Sequence, residues 1–158
     1  MKSPIFFKDT AAEAMLTPGE KYFTAYYDAY VRKQAYDVPC AHALDNLKLG
    51  MSVLLHGYYG PRLIEVYEYF KSKSFTVKII VADCPADIEF NRLFERNAER
   101  DKDKVLDFES FLSFRQKELE KHAKILSKFE GYCSINTGKD LDQNEKMSLD
   151  YIHSSSEA

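Results

Sequence analysis

The sequence has no tryptophan, so its core must be built on Phe, Tyr, Leu, Ile and Val; Phe and Tyr number 11 each. It holds only 3 cysteines, Cys40, Cys84 and Cys133, widely spaced and without a CxxC pair. An odd, scattered set argues against a disulfide framework and against a zinc site, and for a reducing compartment, the cytoplasm. There is no long apolar run: nothing approaches the ~20 residues needed to cross a bilayer. The start, "MKSPIFFKDT", places a Pro and an early Asp in a very short apolar stretch, which predicts no secretory signal. Charge of one sign is not in excess either. The formal net charge of -3 gives no global field that would favour DNA or an anionic membrane, so neither partner is expected. No segment repeats.

What is present is the composition of a soluble globular chain, 45% apolar and 30% charged over 158 residues. That length suits a single domain, read here as residues 1–153 with a flexible tail over 154–158. "SPIFF" reads as a short strand and "TAAEAML" as a short helix stopped by Thr17-Pro18-Gly19. "EKYFTAYYDAYVRKQAYD" reads as a helix whose Tyr22, Tyr26, Tyr27 and Tyr30 share an apolar face and serve as core. Pro39 then suits the first turn of a new helix, "PCAHALDNLKLG", with Gly50 as its stop.

"MSVLLHG" is short, apolar and bounded by Gly, as a buried parallel strand would be. "LIEVYEYFKSKS" is a helix with Leu63, Val66, Tyr67 and Phe70 inward. "FTVKIIVAD" is the clearest strand, and Pro85 opens the helix "ADIEFNRLFERNAER" after it. A charged span, "RDKDKVLDFES", leads into a long helix with Leu112, Leu119 and Leu126 spaced by seven. "GYCSINTG" reads as the last strand and "LDQNEKMSLDYIH" as the closing helix.

Short apolar strands alternating with helices are the α/β pattern, with parallel strands as the default. The expected architecture is a three-layer domain with a mainly parallel sheet and helices on both faces. Ligands of such sheets bind at the carboxyl ends of the strands. The residues that follow each strand therefore matter: Asp9, His56, Asp83 with Cys84, and Asn136 with Thr137. The helix that leaves Asp83 carries Arg92, Arg96 and Arg100 at four-residue spacing, so the guanidinium groups share one face. Two readings stand side by side. The face can be solvated and laced with Glu95 and Glu99, or it can clamp phosphate, which Arg matches with a planar fork of donors. Arg92 reads as structural in either case. Asp9 is placed to cap the helix after it, Asp83 likewise, and Asn136 and Thr137 to turn the chain. His42, His122 and His153 share no metal-ligand spacing, and nothing marks Cys84 as a nucleophile.

The order of these parts resembles the small P-loop kinases of the zeta-toxin and polynucleotide-kinase type. The likeness is carried by "ALDNLKLGMSVLLHG", the Arg-bearing loop "YYGPR", the strand "VKIIVADCPAD", the run Glu95-Arg96-Asn97-Ala98-Glu99-Arg100, the turn "INTG", and "IFFKDTAAEAML" as the acceptor-side strand. It covers residues 4–152. The resemblance implies transfer of a phosphoryl group from ATP, with Mg²⁺, to a hydroxyl of a small molecule or nucleotide. It implies Asp9 as base, Arg96 and Arg100 on the transferred group, His56 and Arg62 toward the acceptor, and Arg96, Asn136 and Thr137 toward the nucleotide.

The chain departs from that pattern in two places. G-x-x-x-x-G-K-[ST], whose amides cradle phosphate, is absent. "TPGEK" lacks a first Gly and a following hydroxyl, and in "GYCSINTGKD" Gly131 is too distant and Asp140 replaces the hydroxyl. By the resemblance the first strand, phosphate loop and helix would precede Met1. His56 stands where relatives place an Asp, and a neutral imidazole is a poor Mg²⁺ ligand. The chain is therefore expected to show no turnover of its own. It would be either a kinase-type domain or a non-catalytic nucleotide-, anion- or protein-binding module. Loss of a central strand leaves edges unpaired: either the chain is a fragment, or its sheet is closed by a direct pairing the family does not use, or another copy or a partner chain covers the gap.

Overall fold

The computed structural model describes residues 3–7, 15, 31–96 and 107–154. The chain divides into two compact units, Met1–Thr76 and Val77–Ala158. Each has α/β character and contains a two-stranded parallel sheet.

In the first unit, strand β1 (Ile5–Phe7) is followed by helix α1 (Arg32–Lys48), strand β2 (Leu54–His56) and helix α2 (Arg62–Lys71). β1 pairs with β2 in the register Ile5 to Leu54, Phe6 to Leu55 and Phe7 to His56. The expected helix boundary at Pro39 is not where the chain breaks: α1 runs through it. The reason is burial. Ala35, Pro39 and Ala43 recur every four residues and are all buried, so the proline ring forms part of the helix's packing stripe. The missing N–H removes one helix bond, and the packing of that stripe offsets it.

α1 ends as its sequence foretells. Gly50 sits at φ +77°, the Gly50 amide donates to the Leu47 carbonyl at 2.9 Å, and the Met51 amide donates to the Asn46 carbonyl at 3.1 Å. This is a Schellman stop, which needs a residue without a Cβ at the left-handed position. In α2 Phe70 is buried, while Leu63, Val66 and Tyr67 are half-buried.

The second unit contains strand β3 (Ile80–Asp83), helix α3 (Ala86–Arg96), helix α4 (Phe108–Leu126), strand β4 (Cys133–Asn136) and helix α5 (Leu141–His153). β3 and β4 pair in parallel from Ile80 with Cys133 to Asp83 with Asn136. Only the second half of "FTVKIIVAD" is strand. Upstream, the Lys78 ammonium is drawn to the carboxyl end of α5, where it donates to the Tyr151 carbonyl at 2.7 Å and to the Ser154 hydroxyl at 2.9 Å.

The core of this unit is aromatic. Phe111 is 1% exposed and packs on Phe90 and Phe108, with ring centroids 5.5 and 6.2 Å away. The leucines spaced by seven are not the buried stripe of α4, since Leu112 and Leu119 are exposed. The phenylalanine cluster holds that place because its rings remove more apolar surface from water. Asp107 caps α4: its carboxylate accepts from the Ser110 amide at 2.7 Å and from the Ser110 hydroxyl at 2.8 Å. No described helix is long and apolar enough to cross a membrane.

Candidate functional site

The carboxyl ends of β3 and β4 hold the most connected polar cluster among the described residues. Asp83 closes β3, and its backbone carbonyl accepts from both the amide and the hydroxyl of Thr137, at 2.7 and 2.9 Å. The turn beyond β4 is therefore tied to the end of β3. Within it, the Asn136 side chain accepts from the Gly138 amide at 2.9 Å, as a turn-forming Asn does. The buried Asn144 of α5 donates to the Asn136 carbonyl at 2.7 Å.

Gly138 is required by close approach: a Cβ there would lie 2.7 Å from Pro85 Cδ and 2.9 Å from Ile88 Cδ1. The two strand-end loops are packed so tightly that only hydrogen fits between them.

Arg92, on the second turn of α3, reaches across this seam. One of its nitrogens lies 3.4 Å from the Thr137 hydroxyl and 3.5 Å from the Cys84 sulfur, and the other donates to the Thr137 carbonyl at 3.1 Å. Arg92 thus has the structural part expected of it, and it fixes which way its helix face looks. Arg96, four residues on, shares that face at the exposed carboxyl end of α3. Arg100 and Asp9 lie outside the described residues.

Sequence reasoning missed Arg115. From the middle of α4 it donates to Glu89 at 2.8 Å, to Asp83 at 3.0 Å and to the Cys84 carbonyl at 2.6 Å. Asp83 accordingly spends its carboxylate on Arg115 and on the Cys84 amide, at 2.8 Å, instead of capping α3. A signal existed. Arg115 stands four residues after Phe111, on the buried stripe of its helix, where a cation needs a partner.

In the first unit, Arg62 opens α2 and lines a cleft of about 270 Å³ with Tyr36, Asp37, Cys40, Glu65 and Tyr69. Its guanidinium lies 3.6 Å from Asp37 and 5.2 Å from the centre of the Tyr36 ring. Burial, with Asp37 adding to it and Arg62 opposing it, pushes the Cys40 thiol up to about 11. His56 is exposed at the end of β2, its ring 5.1 Å from that of Phe7. Cys40, Cys84 and Cys133 are all free thiols.

No group of three or more His, Cys, Asp or Glu converges among the described residues, the Asp83 carboxylate is ion-paired, and His56 offers a nitrogen. Two guanidinium groups, those of Arg92 and Arg115, stand at the carboxyl edge of the β3–β4 pair, both bonded to protein groups. No family model, curated protein or solved structure matches this chain.

Proposed function

We propose that this chain is a kinase-like nucleotide-binding module whose phosphate-facing surface is the arginine face of α3 beside the ends of β3 and β4. One observation supports this reading: Arg92 is seated on Thr137, which puts a guanidinium of the α3 arginine face beside the carboxyl end of β4. Anions bind at such edges in parallel α/β sheets, and Arg recognises phosphate through a planar pair of donors. The finer architecture that goes with it is the three-layer P-loop type, and Asn136 and Thr137 would flank the base of the nucleotide. In phosphoryl transfer, Arg96 and Arg100 would neutralise charge on the transferred group.

The 158 residues contain no phosphate loop, so binding without turnover is the activity assigned to this chain. Isothermal titration of the chain with ATP and ADP, with and without Mg²⁺, tests it. The expected result is a saturable isotherm that does not need Mg²⁺ and weakens about tenfold in Arg96→Gln, the loss of one charge-assisted contact. A flat isotherm at millimolar nucleotide overturns the proposal. Hydrolysis of ATP by the pure chain overturns the absence of turnover.

A second reading, an interaction subunit, is favoured by a different observation. Ile5, Phe7 and Leu54, on one face of the β1–β2 pair, are 49%, 46% and 47% exposed. Parallel sheets are ordinarily covered on both faces. Native mass spectrometry separates the readings: a strict monomer in the absence of other proteins counts against self-assembly through that face.

A further inference from the structure

We propose that Arg115 is a positioning residue that neutralises carboxylates at the β3–β4 edge and so lowers the repulsion an anion meets there. The proposal rests on the nucleotide-binding reading above and adds the residue that makes it electrostatically workable.

Three carboxylates stand where α3 leaves β3, one of them Asp87 in the first turn of the helix. The other two are joined to α4: Asp83, which ends the strand, and Glu89, in the same first turn. Both are partly exposed, so their charges are felt at the surface. Beside them stands Arg92, the cation through which the helix face is aimed. Taken alone, three carboxylates and one guanidinium make an edge that repels phosphate.

Arg115 weakens this repulsion. Its Nε donates to Glu89 Oε2 at 2.8 Å and its Nη2 donates to Asp83 Oδ1 at 3.0 Å, one guanidinium shared between both acids. Arg115 is itself 17% exposed, well shielded from solvent, so this pairing is screened less by water and salt than a surface pair would be.

The same Nη2 donates to the Cys84 carbonyl at 2.6 Å. That bond fixes the two-residue joint between β3 and α3, and hence the direction in which α3 presents Arg92 and Arg96. Arg115 comes from another helix, α4, so neither effect can be read from the β3–α3 segment alone.

The test is titration of the full chain with Mg²⁺-free ATP in wild type, Arg115→Gln, Asp83→Asn and the double variant, each checked for folding by circular dichroism. Arg115→Gln is expected to weaken ATP binding by about tenfold, because it exposes the anion to uncompensated carboxylates. Adding Asp83→Asn is expected to restore affinity to within about threefold of wild type, and Asp83→Asn alone to tighten binding, as removal of a like charge should.

Wild-type affinity in Arg115→Gln overturns the role of Arg115 and leaves the nucleotide site standing. A loss that Asp83→Asn does not restore overturns it too, since a purely structural role would not be rescued by charge. If Arg115→Gln does not fold, Asp83→Asn decides: tighter binding supports the proposal, and unchanged or weaker binding overturns it. Absence of binding in wild type overturns both readings together.

Discussion

Arg92 and Thr137 lie 45 residues apart in sequence, and the guanidinium of one donates to the carbonyl of the other at 3.1 Å. This contact ties the helix after β3 to the turn after β4. Arg92→Lys keeps the charge and loses the planar fork that spans Thr137 and Cys84. ATP affinity should fall by about tenfold, ~1.4 kcal/mol, while the melting temperature changes little because the residue is exposed. Titration calorimetry and a thermal melt check the two halves.

Gly138→Ala should destabilise the chain by about 1–3 kcal/mol, the usual cost of overpacking. The new methyl would meet the rigid ring of Pro85 at 2.7 Å, and a proline ring has little room to move aside. Urea unfolding measures the loss. A variant as stable as wild type would mean that the strand-end loops can part to admit a methyl group at Gly138.

Phe111→Ala should cost about 3–5 kcal/mol, since it empties the centre of the Phe90–Phe108–Phe111 cluster. Leu112→Ala, on the neighbouring exposed position, should cost under about 1 kcal/mol. The contrast between the two, read by urea denaturation, tests which stripe of α4 is the core.

Cys40 should resist alkylation. Its thiol is raised from 9.0 to about 11 by burial and by Asp37, so at pH 8 almost none of it is thiolate. Asp37→Asn removes the opposing charge and should speed the reaction with iodoacetamide, and Arg62→Met should slow it. Peptide mass spectrometry reads the rate at this site. A raised folded value means that the stabilising contribution is complete below pH 9.0 and is lost as pH climbs toward 11.

Asp107 should contribute to acid sensitivity. Bonds from the Ser110 amide and hydroxyl hold its carboxyl below the ordinary 3.8. A lowered folded value places its contribution above pH 3.8 and removes it as the pH falls through the folded value. Asp107→Ala should lower the melting temperature at pH 7 and narrow the difference at pH 3, as differential scanning calorimetry would show.

The α/β alternation was legible in the chain before any coordinates, because it lives in local periodicity. So were the parallel pairing, the Gly50 stop, the inward Phe70 and the strand-end turn at Asn136-Thr137. Each depends on a few neighbouring residues and on the backbone preferences of Gly, Pro, Asn and β-branched side chains.

What local pattern could not supply was partnership. Pro39 lies inside a helix because its ring faces a packed stripe, a fact about neighbours in space. Asp83 serves Arg115 in place of a helix cap because a helix that starts 25 residues later lays a cation beside it. The identity of the buried face of α4 turned on rings contributed by α3 and by the start of α4 itself. Hydrogen bonds and ion pairs act over a few ångströms and are indifferent to sequence distance. The residues that set the charge at the β3–β4 edge are therefore visible only once the chain has folded.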